Sequence, residues 1–186
     1  CDRFLRYAAT PGKARSDEGV PRPAKEGNPV ARAILEGGYD WEDRLLDEHL
    51  AETADVAPGE GPRRDRAWSV EESLVRLRTA APGTWVYQPT LRVGRAFRER
   101  YGLNDGSLHF PDCRPDLLEI REDGGVRQIR IHDAKASSHQ KLSHRVQVTI
   151  YALVLDASFK DAGVKDVSVD PVGGVWLSGQ ENSELF

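Results

Sequence analysis

The tightest constraint on this chain is the tetrapeptide Asp123-Gly124-Gly125-Val126, which separates two strand-like runs. A two-residue Gly-Gly loop predicts a hairpin, because glycine reaches the positive φ values that primed turns require. Counting outward from the loop sets Asp123 against Val126, Ile120 against Ile129, Leu118 against Ile131 and Asp116 against Asp133. One face is therefore apolar until it ends on two carboxylates. The other face sets Leu117 against His132 and Glu119 against Arg130, an opposite-charge pair worth a few tenths of a kcal/mol.

Directly opposed residues have Cβ atoms about 5 Å apart, and Lys135 shares the face of Asp133 because strand side chains alternate. Two opposed acids require a cation. All-oxygen ligation suits magnesium or manganese, and such an ion beside a lysine points to phosphodiester hydrolysis: the metal would polarise the phosphate and acidify a bound water, while Lys135 would orient that water or offset developing negative charge. A lone D-x-K is more often a solvated charge cluster at a strand end. The hairpin register is what sets this one apart.

Three motifs then occur in order: Pro115-Asp116, Asp133-Ala134-Lys135, and Gln147-Val148-Thr149-Ile150-Tyr151. Together they resemble the PD-(D/E)XK nuclease superfamily, with the Q-x-x-x-Y signature of its RecB-like branch. The resemblance implies an α/β fold, restriction-endonuclease-like, with an α-β-β-β-α-β core and a central mixed sheet flanked by helices. It also implies a single nuclease domain over residues 1–186 that hydrolyses DNA, as a module of a helicase-nuclease, repair or defence protein. Magnesium or manganese would be held by Asp116, Asp133, the main-chain carbonyl of Ala134 and an acid on an earlier helix. Glu42 is the candidate for that acid, with Asp40 and Asp43 as neighbouring alternatives and Trp41 where some members carry histidine. Gln147 and Tyr151 would support the site and the nucleic acid; as a Gln and a Tyr one turn apart, read alone, they are ordinary rim residues. Cys113 stands where many relatives have glycine. The expected partners are DNA and a helicase domain or subunit.

Cys1-Asp2-Arg3-Phe4-Leu5-Arg6-Tyr7 resembles the first cysteine segment of iron-sulfur members of the branch. The chain has 2 cysteines, and such clusters are normally held by four thiolates, so no cluster is expected within this stretch. Completing one would take residues beyond Phe186. The absence of methionine marks the sequence as an excerpt of a longer protein.

Elsewhere, residues 1–7 read as a helix end and residues 10–28, rich in Pro, Gly and charge, as a loop. Asn28-Pro29 predicts a helix start, and Val30, Ile34, Trp41 and Leu45 continue it at helical spacing to about Leu50. That helix carries Glu42. Gly37-Gly38 weakens it but admits a close backbone approach. A polar loop is expected from Thr53 to Arg66, then a capping box at Ser69-Val70-Glu71-Glu72 opening a helix to Thr79. Trp85 to Val93 reads as a strand interrupted near Pro89. Beyond the hairpin, Ser143 to Phe159 predicts a helix whose apolar face carries Val146, Ile150, Leu153, Val154 and Ala157, and Val167 to Leu177 a last strand. His139 and His144 read as loop or helix-start residues.

A net charge of −4 argues against a generic nucleic-acid coat, yet the charge is unevenly spread. Residues 34–60 are strongly acidic, whereas Arg127, Arg130, Lys135, Lys141 and Arg145 surround the D-A-K motif. Arg92, Arg95, Arg98 and Arg100 form a second basic cluster, suited either to phosphates or to a solvated face. No run is apolar enough to span a bilayer, and so few cysteines point to a reducing, cytoplasmic setting.

Overall fold

The computed structural model describes residues 29–103 and 110–186. The expectations for residues 1–28, Cys1 among them, lie outside the described residues. A mixed seven-stranded sheet carries the fold, with helices on both faces. Its central strands are β3 (Leu117–Asp123) and β4 (Val126–Lys135), and their register runs from Asp123↔Val126 to Leu117↔His132 as the Gly-Gly loop predicts. Gly124 and Gly125 adopt φ of 56° and 80°, the positive pair that a primed hairpin needs.

On one side of β3 lies β2 (Trp85–Tyr87), antiparallel to it, followed by the short parallel β1 (Ala54–Asp55). On the other side β4 pairs in parallel with two short strands in succession, β5 (Val167–Val169) and β6 (Gly174–Leu177), and β7 (Glu184–Leu185) closes that edge. Val167 to Leu177 is thus not one strand. The break falls at Asp170, whose carboxylate accepts from Arg130 Nη2 at 2.7 Å and from the backbone N–H of Val172 at 2.9 Å.

That contact corrects the expected pairing of Arg130 with Glu119. The two are opposed in register, but Arg130 turns to the buried Asp170. Glu119 meets His132 Nε2 at 3.3 Å and Arg121 at 3.5 Å instead. A backbone register fixes which residues are neighbours, while long side chains choose among several partners.

The sheet separates two clusters. Leu118, Ile120, Ile129 and Ile131 pack with Leu77 of α2 (Val70–Thr79) and with Val148, Val154, Leu155 and Phe159 of α4 (Leu142–Asp161). On the opposite face, Leu117, Tyr87, Ala134 and Trp176 pack with Trp41 of α1 (Pro29–Arg44) and with Leu45 and Leu46, where α1 continues into a π turn over Leu45–His49. This alternation along β3 and β4 is what a sheet buried on both faces requires. The capping box at Ser69 forms as expected, Ser69 Oγ accepting from Glu72 N and Glu72 from Ser69 N.

Three further local expectations are revised. The Thr53–Arg66 segment contains β1 and a 3-10 turn at Arg63–Asp65, and the side chain of Arg76 clasps Asp55. Leu91 forms only an isolated bridge to Cys113, after which α3 (Arg95–Arg100) begins. On α4, Val146 and Ile150 are about half exposed. The helix is turned so that Val148, Val154, Leu155 and Phe159 are its buried residues packed with the sheet.

Candidate active site

The hairpin brings Asp116, Asp133 and Lys135 together at one end of the central strands. Asp133 is fully buried, and its Oδ1 accepts from Lys135 Nζ at 2.7 Å. The same ammonium lies 3.5 Å from Asp116 Oδ2, which accepts the backbone N–H of Ala134 at 2.8 Å. The ladder between β2 and β3 continues one residue further, where Gln88 N donates to the carbonyl of Asp116 at 2.9 Å. Asp116 is therefore held through both its main chain and its side chain.

Glu42 enters from the α1 side. Its Oε2 accepts from the Tyr87 hydroxyl at 2.8 Å and from Gln88 Nε2 at 3.1 Å. Of the three candidate acids, Asp40 is exposed and Asp43 faces Arg63 at 4.0 Å, while Trp41 is buried in the core. Helical spacing aims Glu42 at the sheet because Trp41 and Leu45 fix the roll of α1. Tyr87 and Gln88 were not singled out from the sequence. Tyr87 sits on the alternating face of Trp85-Val86-Tyr87, but Gln88 takes φ of +45°, a left-handed backbone that nothing in Gln88-Pro89 announces.

The electrostatics follow from burial of like charges. Burial, then the neighbouring Asp116 carboxylate, pushes the Asp133 pKa up to about 8. Burial and Asp116 likewise raise Glu42 to about 7, against the hydrogen bond from Tyr87, the charge of Lys135 and the hydrogen bond from Gln88. Burial disfavours the charged form of Lys135, but Asp116 and Asp133 outweigh it and its pKa lies above the ordinary value. Asp133 Oδ2 is buried and finds no donor among the described residues. A buried carboxylate oxygen without a donor, among two further acids, is the donor chemistry of a hard divalent cation. Among the described residues no group of three or more His, Cys, Asp or Glu is already placed to hold a metal ion; the cation that Asp133 and Asp116 meet is Lys135.

A cleft of about 430 Å³ opens on this cluster, lined by Gly37, Gly38, Tyr39, Glu42, Lys135 and His144 among others. His144 is buried, and its Nδ1 accepts from the backbone N–H of Lys141 at 3.3 Å, closing the start of α4. Burial, with Lys135 and Lys141 nearby, holds its pKa low. Gln147 Nε2 donates to the Tyr151 hydroxyl at 3.0 Å. Burial raises the Tyr151 pKa, and the carboxylates of Asp116 and Asp133 add to it, so the pair lies within the field of the site.

The basic segments are mostly used structurally. Arg127 donates to the carbonyl of Ala80 and Arg130 pairs with Asp170. Arg92, Arg95 and Arg100 pair with Asp112, Glu99 and Asp156. Cys113 is a free thiol whose pKa burial pushes up to about 11. It packs against the core rather than facing the acids.

A mixed sheet between helices, with a Pro-Asp and an Asp-Ala-Lys converging at one end of its central hairpin, defines a restriction-endonuclease-like α/β protein. The model of the PD-(D/E)XK nuclease superfamily matches residues 12–183, and the chain belongs to that superfamily. No curated protein and no solved structure matches it. Membership supports a nuclease-type function. Among the described residues no helix is long and apolar enough to cross a membrane.

Proposed function

We propose that this domain is a metal-dependent DNA nuclease of RecB-like type, one module of a larger cytoplasmic helicase-nuclease, repair or defence protein. The observation that carries the reading is the buried Oδ2 of Asp133, which has no donor among the described residues, in a carboxylate whose neighbour Asp116 also acts on Glu42. Magnesium or manganese would be held by Asp116, Asp133 and the Ala134 carbonyl, with Glu42 completing the set. When bound, the ion supplies Lewis-acid polarisation of the phosphate and a more acidic water.

The chain's own groups account for the rest. Lys135, released from Asp133, directs its ammonium at the attacking water and the developing phosphorane charge. Water adds to phosphorus, the bond from phosphorus to the leaving oxygen breaks, and that oxygen takes up a proton. Tyr87 and Gln88 hold Glu42 in place, and the Gln147–Tyr151 hydrogen bond supports the RecB-like assignment from the α4 side.

The test is cleavage of plasmid DNA, single-stranded DNA and RNA with Mg²⁺ or Mn²⁺, comparing the native protein with Asp133→Asn. Metal-dependent DNA cleavage lost in the variant supports the reading; no cleavage of any substrate by the native protein overturns it. One observation favours a second reading, a degenerate module that binds without cutting: among the described residues no group of three or more His, Cys, Asp or Glu is placed to hold a metal ion. Calorimetric titration with Mn²⁺ separates the two, since the binding module takes up no ion through Asp116.

A further inference from the structure

Past Tyr39 the carboxylate cleft meets a second cavity of about 270 Å³, lined by Tyr39, Arg64, Asp65, Gln88 and Arg114. Tyr39 lines both cavities, and Gln88 in the second donates to Glu42 in the first. The two guanidiniums here differ from several other arginines among the described residues. Arg63, Arg76, Arg92, Arg100 and Arg130 each meet a carboxylate. Among the described residues, neither Arg64 nor Arg114 does.

Both are nevertheless fixed in place. The Arg64 guanidinium lies over the Tyr39 ring, 4.6 Å from its centroid. Arg114 donates through Nη2 to the carbonyls of Arg66 at 2.6 Å and Arg64 at 3.5 Å, and its Nε is buried without a partner among the described residues. Arg114 thus anchors the turn that presents Arg64. Two half-buried cations stand on one wall, with the exposed Asp65 as the only carboxylate among the described lining residues, which leaves the cavity suited to an anion. The planar fork of a guanidinium matches the oxygens of a phosphate.

We infer that this cavity is a subsite for a phosphodiester of the bound strand next to the one at the carboxylates, with Arg64 as its main contact, Arg114 as the residue that positions Arg64, and the Tyr39 ring as the wall along which the strand passes. The inference rests on the nuclease reading for the identity of the neighbouring phosphate. Such contacts set the register of a strand without reading its sequence. Gln88 then links the two sites, since its left-handed backbone turns one side chain toward Glu42 while it also lines the arginine cavity.

The test is fluorescence anisotropy with a labelled single-stranded oligonucleotide carrying a 5′-hydroxyl, in EDTA, across a salt series. Arg64→Gln is expected to weaken binding about tenfold and to lower the slope of log K against log salt by about 0.7, the value for one phosphate contact on a single strand. Arg114→Lys, which keeps the charge, keeps the slope while weakening binding. An unchanged affinity and slope in Arg64→Gln, or no binding by the native protein, overturns the subsite. So does a 5′-phosphate that strengthens binding in the native protein but not in Arg64→Gln, because the cavity would then hold a strand end. Because no metal is present, the readout is independent of cleavage: a slope change without any Mg²⁺-dependent cleavage supports the subsite and sinks the nuclease reading.

Discussion

Lys135 and Asp133, two residues apart on one strand, join side chains at 2.7 Å, and the same ammonium lies 3.5 Å from Asp116, the second acid of the hairpin. The contact follows from strand alternation, which puts both on one face. It makes the lysine a stand-in for a cation in the metal-free protein.

Removing that stand-in separates two functions. Lys135→Ala should lose at least a hundredfold in plasmid cleavage, the scale of a positioned acid-base or electrostatic group, while Mn²⁺ binding measured by calorimetry is kept or tightened. Asp133→Ala should lose both. Full cleavage activity in Lys135→Ala would remove the lysine from the mechanism.

The metal-free protein should lose stability as pH rises. The folded-state pKa of Asp133 is raised from 3.8 to about 8 and that of Glu42 from 4.5 to about 7. Between those values the folded state holds protons that the unfolded chain releases, so unfolding becomes easier with each step upward in pH. Thermal melts in EDTA should show Tm falling between pH 5 and pH 8.5, with a shallower fall in Asp133→Asn and recovery at pH 8.5 on adding Mg²⁺. An equal slope in the variant would contradict the assignment.

Glu42 offers a finer probe through its two donors. Hydrogen bonds from Tyr87 and Gln88 hold its pKa down against burial, so Tyr87→Phe should move the acidic limb of the cleavage profile to higher pH. Gln88→Gly removes a donor but also relieves the strain of the left-handed backbone at φ of +45°. A non-glycine residue there is disfavoured by about 1–2 kcal/mol, partly offset by the entropy glycine loses on folding. The variant should be as stable as the native protein or slightly more so, yet less active; a large loss of stability in urea would refute the strain argument.

Far from the cleft, Asp170 should matter only for the fold. Asp170→Ala leaves Arg130, 12% exposed, without its buried partner, a change that typically costs about 3–5 kcal/mol. Urea unfolding should show that loss, while Mn²⁺ affinity stays within twofold.

The centre of the fold was legible because glycine chemistry and alternation act locally: Gly124-Gly125 sets the register, and the register sets Asp116 and Asp133 at one end of the sheet. Glu42 was legible as a candidate from helical spacing, but choosing it over Asp40 and Asp43 needed the roll of α1, which Trp41 and Leu45 decide by packing. What stayed hidden depends on long-range choices among equivalents. Arg130 prefers Asp170 to Glu119, the less buried acid, and α4 turns Val146 and Ile150 outward while Val148 and Phe159 are buried. The positive φ of Gln88 and the Arg64–Tyr39 stack have no local signature at all.

Gly37 and Gly38 form part of the cleft wall, and among the described residues a Cβ at either would meet nothing within 4 Å. The packing of the described residues therefore gives no reason for glycine there, and in a helix each is less favourable than alanine by about 1 kcal/mol. An engineer selecting only for heat resistance would change these two positions early and see nothing go wrong in a melt. The space they keep open has value only to whatever enters it, so at this point in the chain durability and use are graded by different examiners.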